Sequence, residues 1–190
     1  DIPDSPLVFT EVTEMLGIAM KISLLGGLII ALPLLTYQAV MFVSPGLTSK
    51  ERRYLLMFLP GITFAFIVGV AFGFYVLIPP AIKFLLTFNA DIATPMIRIG
   101  NYMNLMVRLL FWMGVVFETP VMMFVLAKIR VVSYRRFAGW RRIAVVMAFV
   151  LGALITPTFD PINQTLVAIP IVVLYELGIW LAWAAQRGGK

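Results

Sequence analysis

From Ile22 to Ser49 the chain carries no charged side chain, and from Tyr54 to Ile82 it again carries none; Lys50-Glu51-Arg52-Arg53 lies between the two runs. Uncharged stretches of this length have few homes. A hydrocarbon core about 30 Å thick is crossed by about 20 apolar helical residues, and within lipid a helix satisfies its own backbone hydrogen bonds without a closed barrel. The first expectation is therefore two membrane-spanning helices meeting at a charged joint. The whole chain agrees: 190 residues that are 62% hydrophobic and 13% charged leave too little polar surface for a soluble domain. The expected fold class is all-α, a polytopic helical bundle in a membrane.

Continued along the chain, the same reading gives a single transmembrane domain over residues 1–190 with five spans, at about 22–43, 54–82, 102–127, 143–157 and 161–185. Pro33 interrupts the first and is expected to kink it. The second exceeds the bilayer thickness at 1.5 Å per residue and must tilt or protrude. The last two are short: Ile143 meets Thr156-Pro157 after roughly 13 residues, and Gln164, Pro170 and Glu176 punctuate the fifth. Such a pair is expected to thin the bilayer locally.

Orientation follows from the basic residues. Lys and Arg number three in residues 44–53, six in 128–142 and two after the last span, against one in 1–21, two in 83–101 and none in 156–164. Positive connections stay on the cytoplasmic side. Glu51, the 128–142 connection and the C-terminus are therefore expected inside, and residues 1–21 outside. An external start that lacks a signal sequence of its own implies a preceding span, so six helices are expected in the intact protein.

The composition also excludes chemistry. Without Cys or His there are no disulfides, no thiolate or imidazole metal ligands and no imidazole general base. No metal, no cofactor and no catalytic residue is expected. The net charge of +6 resides in clusters between apolar runs, which fits membrane topology rather than nucleic acid.

Four places carry candidate functional chemistry. Glu118, inside the third span, is costly in lipid by about 2.5–3.5 kcal/mol, and such residues usually face a cavity or a partner; the alternative is a neutral acid hydrogen-bonded to a neighbouring helix. Arg108 lies ten positions earlier, about 15 Å along the axis, too far for a direct pair. Glu51, with Arg52 and Arg53, reads either as the start of a helix, complementing its dipole beside a Thr48 or Ser49 cap, or as an acidic recognition point for an arginine pair. Thr156, Asp160 and Gln164 cluster where the short spans meet, either docking a foreign helix or satisfying one another; Asp160 also suits a cap. Glu176 has no evident partner and is expected to snorkel toward water. Gly69-Val70-Ala71-Phe72-Gly73 matches the GxxxG spacing of close helix contacts.

Taken together, Phe42-Val43-Ser44-Pro45-Gly46-Leu47 with Glu51-Arg52-Arg53, Gly114 to Pro120 as GVVFETP, Thr156-Pro157, Asp160, Gln164, Ala168-Ile169-Pro170 and Tyr175-Glu176 resemble the TatC family, the core subunit of the twin-arginine protein translocase. The resemblance runs over almost the whole chain. It implies a cupped bundle of six helices, the first preceding this chain, in a cytoplasmic (inner) membrane. It further implies a receptor for twin-arginine signal peptides of folded cargo, working with TatA-like and TatB-like single-span proteins, as a homo-oligomer in the receptor complex, on the proton motive force. Under that resemblance Glu51 with Arg52 and Arg53 matches the signal-peptide site, Glu118 the intramembrane glutamate, and Thr156, Asp160 and Gln164 the site for partner helices. No GxxxxGK[ST] phosphate loop is present, in keeping with a family that hydrolyses no nucleotide. The competing reading is a proton-coupled small-solute transporter using Glu118; it predicts an inverted internal repeat, which the sequence does not show.

Overall fold

The computed structural model describes residues 12–43, 49–87, 98–156 and 161–187, and these are helical almost throughout. Helix α1 is Val12–Val43, α2 Ser49–Phe72, α3 Ile78–Thr87, α4 Ile99–Lys128, α5 Tyr134–Gly139, α6 Arg141–Ile155 and α7 Pro161–Arg187, with one π-helical turn, Gly73–Leu77, between α2 and α3. Among the described residues, four stretches are long and apolar enough to cross a membrane: Thr13–Gln38, Leu56–Phe84, Ile99–Lys128 and Pro161–Arg187. Helix α6, at 15 residues, is about 22 Å long, less than a hydrocarbon core.

The surface is the inverse of a soluble protein's. Phe42 is 87% exposed, Ile30 81% and Tyr75 76%, while many of the most enclosed positions hold Ala or Gly. Contacts between helices made through small residues, with large apolar side chains turned outward, are the arrangement lipid favours.

Helix α4 is the axis of the bundle. It packs on α2 along one side and on α7 along another, and α7 in turn holds α6. Leu109 and Met113 of α4 are fully enclosed, together with Leu77, Ile155 of α6 and Val167 of α7. Toward the other end of α4, Met123 and Ala127 pack with Phe137 of α5 and Ile179, Ala182 and Ala185 of α7. Helix α1 lies outermost, joined through Leu32 to Ile62 and Phe66 of α2.

Local chemistry explains the breaks. Proline rings at positions 79 and 80 clash in a regular helix with the carbonyls four residues back, those of Tyr75 and Val76. The chain widens there into the π turn, closed by the Ile78 N–H donating to Gly73 O. Helix α4 starts without a cap from its own Arg98; instead the Glu14 carboxylate of α1 accepts the Gly100 N–H at 2.9 Å, supplying an anion where a helix exposes free donors. Lys21 Nζ donates to Asn104 Oδ1 one turn further on. At its far end α4 is closed by Arg130, at φ 61°, with Val131 and Val132 N–H both returning to Leu126 O, a left-handed helix stop.

Candidate functional site

The packing sorts the predicted residues to different levels of the bundle. Helix α2 runs antiparallel to α4: the Phe58 ring, near the start of α2, lies 4.9 Å from that of Phe124, near the end of α4. Helix α7 finishes at the same end, where Gln186 Oε1 accepts the Tyr134 N–H and Gln186 Nε2 donates to Val132 O, both at 3.4 Å. One end of the molecule therefore gathers the beginning of α2, the end of α4, α5, the beginning of α6 and the end of α7. It carries Lys50, Arg52, Arg53, Lys128, Arg130, Arg135, Arg136, Arg141, Arg142 and Arg187.

Glu51 sits in the first turn of α2 at this basic end. Its side chain and that of Arg52 lie outside the described residues, while Arg53 is exposed. Glu176 of α7 also reaches this half of the bundle. It is not left to water as its sequence suggested: Arg141 clasps it with both arms of the guanidinium, Nε to Oε1 at 2.8 Å and Nη2 to Oε2 at 3.0 Å. The pair straps the start of α6 to α7. Tyr175 Oη beside it donates to Phe137 O at 2.9 Å, tying down α5. Arg187 stacks on Trp183 at 3.9 Å from the ring centroid. Arg141 of this basic connection is thus built into the scaffold.

Glu118 lies deep in α4 and is half-buried. Its neighbours in sequence hold the interhelical packing: Phe117 meets Phe72 of α2, and Pro120 lies against Gly178 of α7. Glu118 itself has no hydrogen-bond or ion-pair partner among the described residues, so the internally bonded alternative finds no partner there.

At the opposite end, Thr156 and Gln164 come together as the α6–α7 turn predicts. Thr156 is buried and its hydroxyl donates to Gly152 O at 2.7 Å; Gln164 Nε2 donates across to Phe149 O at 2.8 Å. The helices approach closely because position 152 is glycine: a Cβ there would stand 2.8 Å from Gln164 O. Asp160 lies outside the described residues. The two side chains therefore satisfy α6 with their donors and keep acceptor lone pairs available. They share an open groove of about 850 Å³ with Arg108 of α4 and the apolar side of α6. That Arg108 joins this group was hidden in the sequence, where it is 48 positions from Thr156.

The geometry is that of a membrane bundle with a charged rim, a carboxylate within α4 that is unpaired among the described residues, and a polar group where α6 and α7 meet. A family model, Sec-independent protein translocase protein (TatC), matches residues 2–170. The chain belongs to the TatC family. The Sec-independent protein translocase protein TatC of Carboxydothermus hydrogenoformans is 39% identical over 176 residues, covering 93% of this chain and 72% of that protein. That of Aquifex aeolicus is 38% identical over 190 residues, covering 99% and 78%. The crystal structure of the twin arginine translocase receptor TatC superposes with a TM-score of 0.85 at 38% identity, over 98% of this chain and 82% of that one. As a TatC relative the chain is an integral membrane protein of a protein translocase, and the all-helical reading of its sequence holds at that level.

Proposed function

We propose that this chain is the receptor and core component of a twin-arginine translocase, in which Glu51, flanked by Arg52 and Arg53, receives the arginine pair of a signal peptide on folded cargo. The observation that supports it most is the likeness to the crystallised receptor over nearly the whole chain. The chemistry is consistent. A guanidinium offers a planar fork that a carboxylate accepts through both oxygens. A lone carboxylate among cations makes a narrow attractive point, while the surrounding charges penalise peptides whose basic residues arrive out of register.

In this reading the chain forms one transmembrane domain in the bacterial inner membrane, with α6 as a short fourth span and α7 as the fifth, which at 27 residues is not short as its sequence suggested. Its basic end is cytoplasmic and residues 1–21 are outside. Thr156, Asp160 and Gln164 take the single-span TatA-like and TatB-like partners, Thr156 and Gln164 through their remaining acceptors. Glu118 serves transport driven by the proton motive force, and the receptor assembles with further copies of itself. Binding of a fluorescent twin-arginine signal peptide to membranes holding the protein tests the core of it. Glu51→Ala, and separately a peptide with Lys-Lys for Arg-Arg, should each lower binding about tenfold or more, the order expected when one member of a charge pair is removed. Equal binding in all three cases refutes recognition by this carboxylate.

A further inference from the structure

Arg108 is the one cation within the span of α4 that the reading above leaves without a task. It is exposed and has no hydrogen-bond or ion-pair partner among the described residues. Helix α4 has 30 residues and is about 45 Å long, so a 30 Å hydrocarbon core centred on it begins about 7.5 Å from either end. Arg108, nine residues from the start, is about 13.5 Å along the axis and about 6 Å inside that boundary. Glu118 is about 28 Å along, about 6 Å past the midplane and about 9 Å inside the far boundary. A guanidinium at the depth of Arg108 reaches the interface by extending its side chain, which places its charge where lipid phosphates lie.

The groove around it has the matching shape. Arg108, Thr156 and Gln164 form its polar part, and Val145, Val146, Phe149, Val150, Ala153 and Leu154 line the rest. The enclosed cluster of Leu109 with Ile155 and Val167 sets Arg108 level with the end of α6, so the polar part is at the bilayer edge and the apolar wall runs inward along α6. That wall is exposed: Val146 is 62% and Leu154 59% accessible. A positive head and an apolar channel leading toward the bilayer centre are complementary to one molecule already surrounding the protein.

We propose that this groove is a binding site for an anionic phospholipid, its phosphate held by Arg108 and one acyl chain lying along Val146, Val150 and Leu154; Thr156, whose hydroxyl proton is spent on Gly152 O, and Gln164, bonded to Phe149 O, border the groove without holding the phosphate. The site depends on the depth of Arg108 in α4, not on which face of the membrane is outside, and it stands apart from recognition at Glu51.

The test reconstitutes the protein in phosphatidylcholine nanodiscs containing a minority of phosphatidylglycerol and measures, with spin-labelled lipids, the preference of the motionally restricted shell for phosphatidylglycerol. Arg108→Gln should lower that preference about fivefold, the weight of a single basic residue near an anionic surface. Arg108→Lys should retain much of it, since a phosphate accepts an ammonium, and Arg142→Gln should leave the Arg108-dependent difference unchanged. Circular dichroism of each variant verifies the fold. An unchanged preference in Arg108→Gln overturns the proposal. If that variant instead loses a copurifying single-span protein while lipid preference is unaltered, the groove belongs to a partner carboxylate and the proposal is likewise overturned.

Discussion

Gly69→Ala probes the contact on which the bundle's axis depends. A Cβ at position 69 would stand 2.5 Å from Met113 O and 2.7 Å from Phe117 Cβ, where ordinary carbon contacts begin near 3.5 Å. The first obstacle is main chain, so no rotamer change relieves it and α2 must move about 1 Å from α4 at that point. Overpacking of this kind costs about 1–3 kcal/mol, while alanine returns up to about 1 kcal/mol of helix propensity. With the full propensity gain the expected net loss is about 0–2 kcal/mol, and at about 2–4 °C per kcal/mol for a chain of this size the midpoint falls by up to roughly 8 °C. The assay is thermal unfolding in detergent, followed by helical circular dichroism and by survival of the monodisperse peak at one heating rate. Gly26→Ala is the internal control: nothing lies within 4 Å of a Cβ there, so the substitution receives the propensity gain alone and the midpoint holds or rises. If Gly69→Ala melts at or above Gly26→Ala, the close α2–α4 contact is not what holds these helices.

Three further outcomes follow from individual side chains. Glu118→Gln should leave the melting midpoint within the about 0.5 kcal/mol typical of substitutions that break no contact, because Glu118 has no partner among the described residues, yet reduce export of a twin-arginine reporter in cells; a large stability loss would instead reveal a structural bond. Gln164→Leu removes the donor to Phe149 O and should cost about 1 kcal/mol, read as a fall of a few degrees in the same melt. Arg130→Gly relieves a non-glycine residue at φ 61° and should add about 1 kcal/mol, raising the midpoint.

The sequence disclosed what depends on local pattern. Uncharged runs longer than a bilayer gave helices α1 and α2 without any knowledge of packing, and Gly69 and Gly73, spaced four apart, do face α4, where both are buried. It did not disclose what depends on which helices touch. Arg141 and Glu176 are 35 positions apart and meet only because α6 and α7 pack against each other, so Glu176 read as an isolated, snorkelling acid. Arg108 read only as a charge too distant from Glu118; its company with Thr156 and Gln164 comes from α4 packing on the end of α6 and the start of α7. Glu14, which the sequence placed only within the external residues 1–21, proved to close the start of α4. The π turn had a visible cause in Pro79-Pro80, but proline alone does not say whether a helix kinks, ends or widens.

Whether Glu51 meets the arginine pair directly, as proposed, is measured most squarely by a double-mutant cycle. Affinities are determined for the protein with Glu or Gln at position 51 and for signal peptides with Arg-Arg or with uncharged isosteres in that place. Direct contact predicts that the two changes are not additive, with a coupling of about 1.5 kcal/mol or more, in the range of close charge pairs across interfaces. Losses that simply add would contradict the account, because the arginines would then be read elsewhere on the receptor.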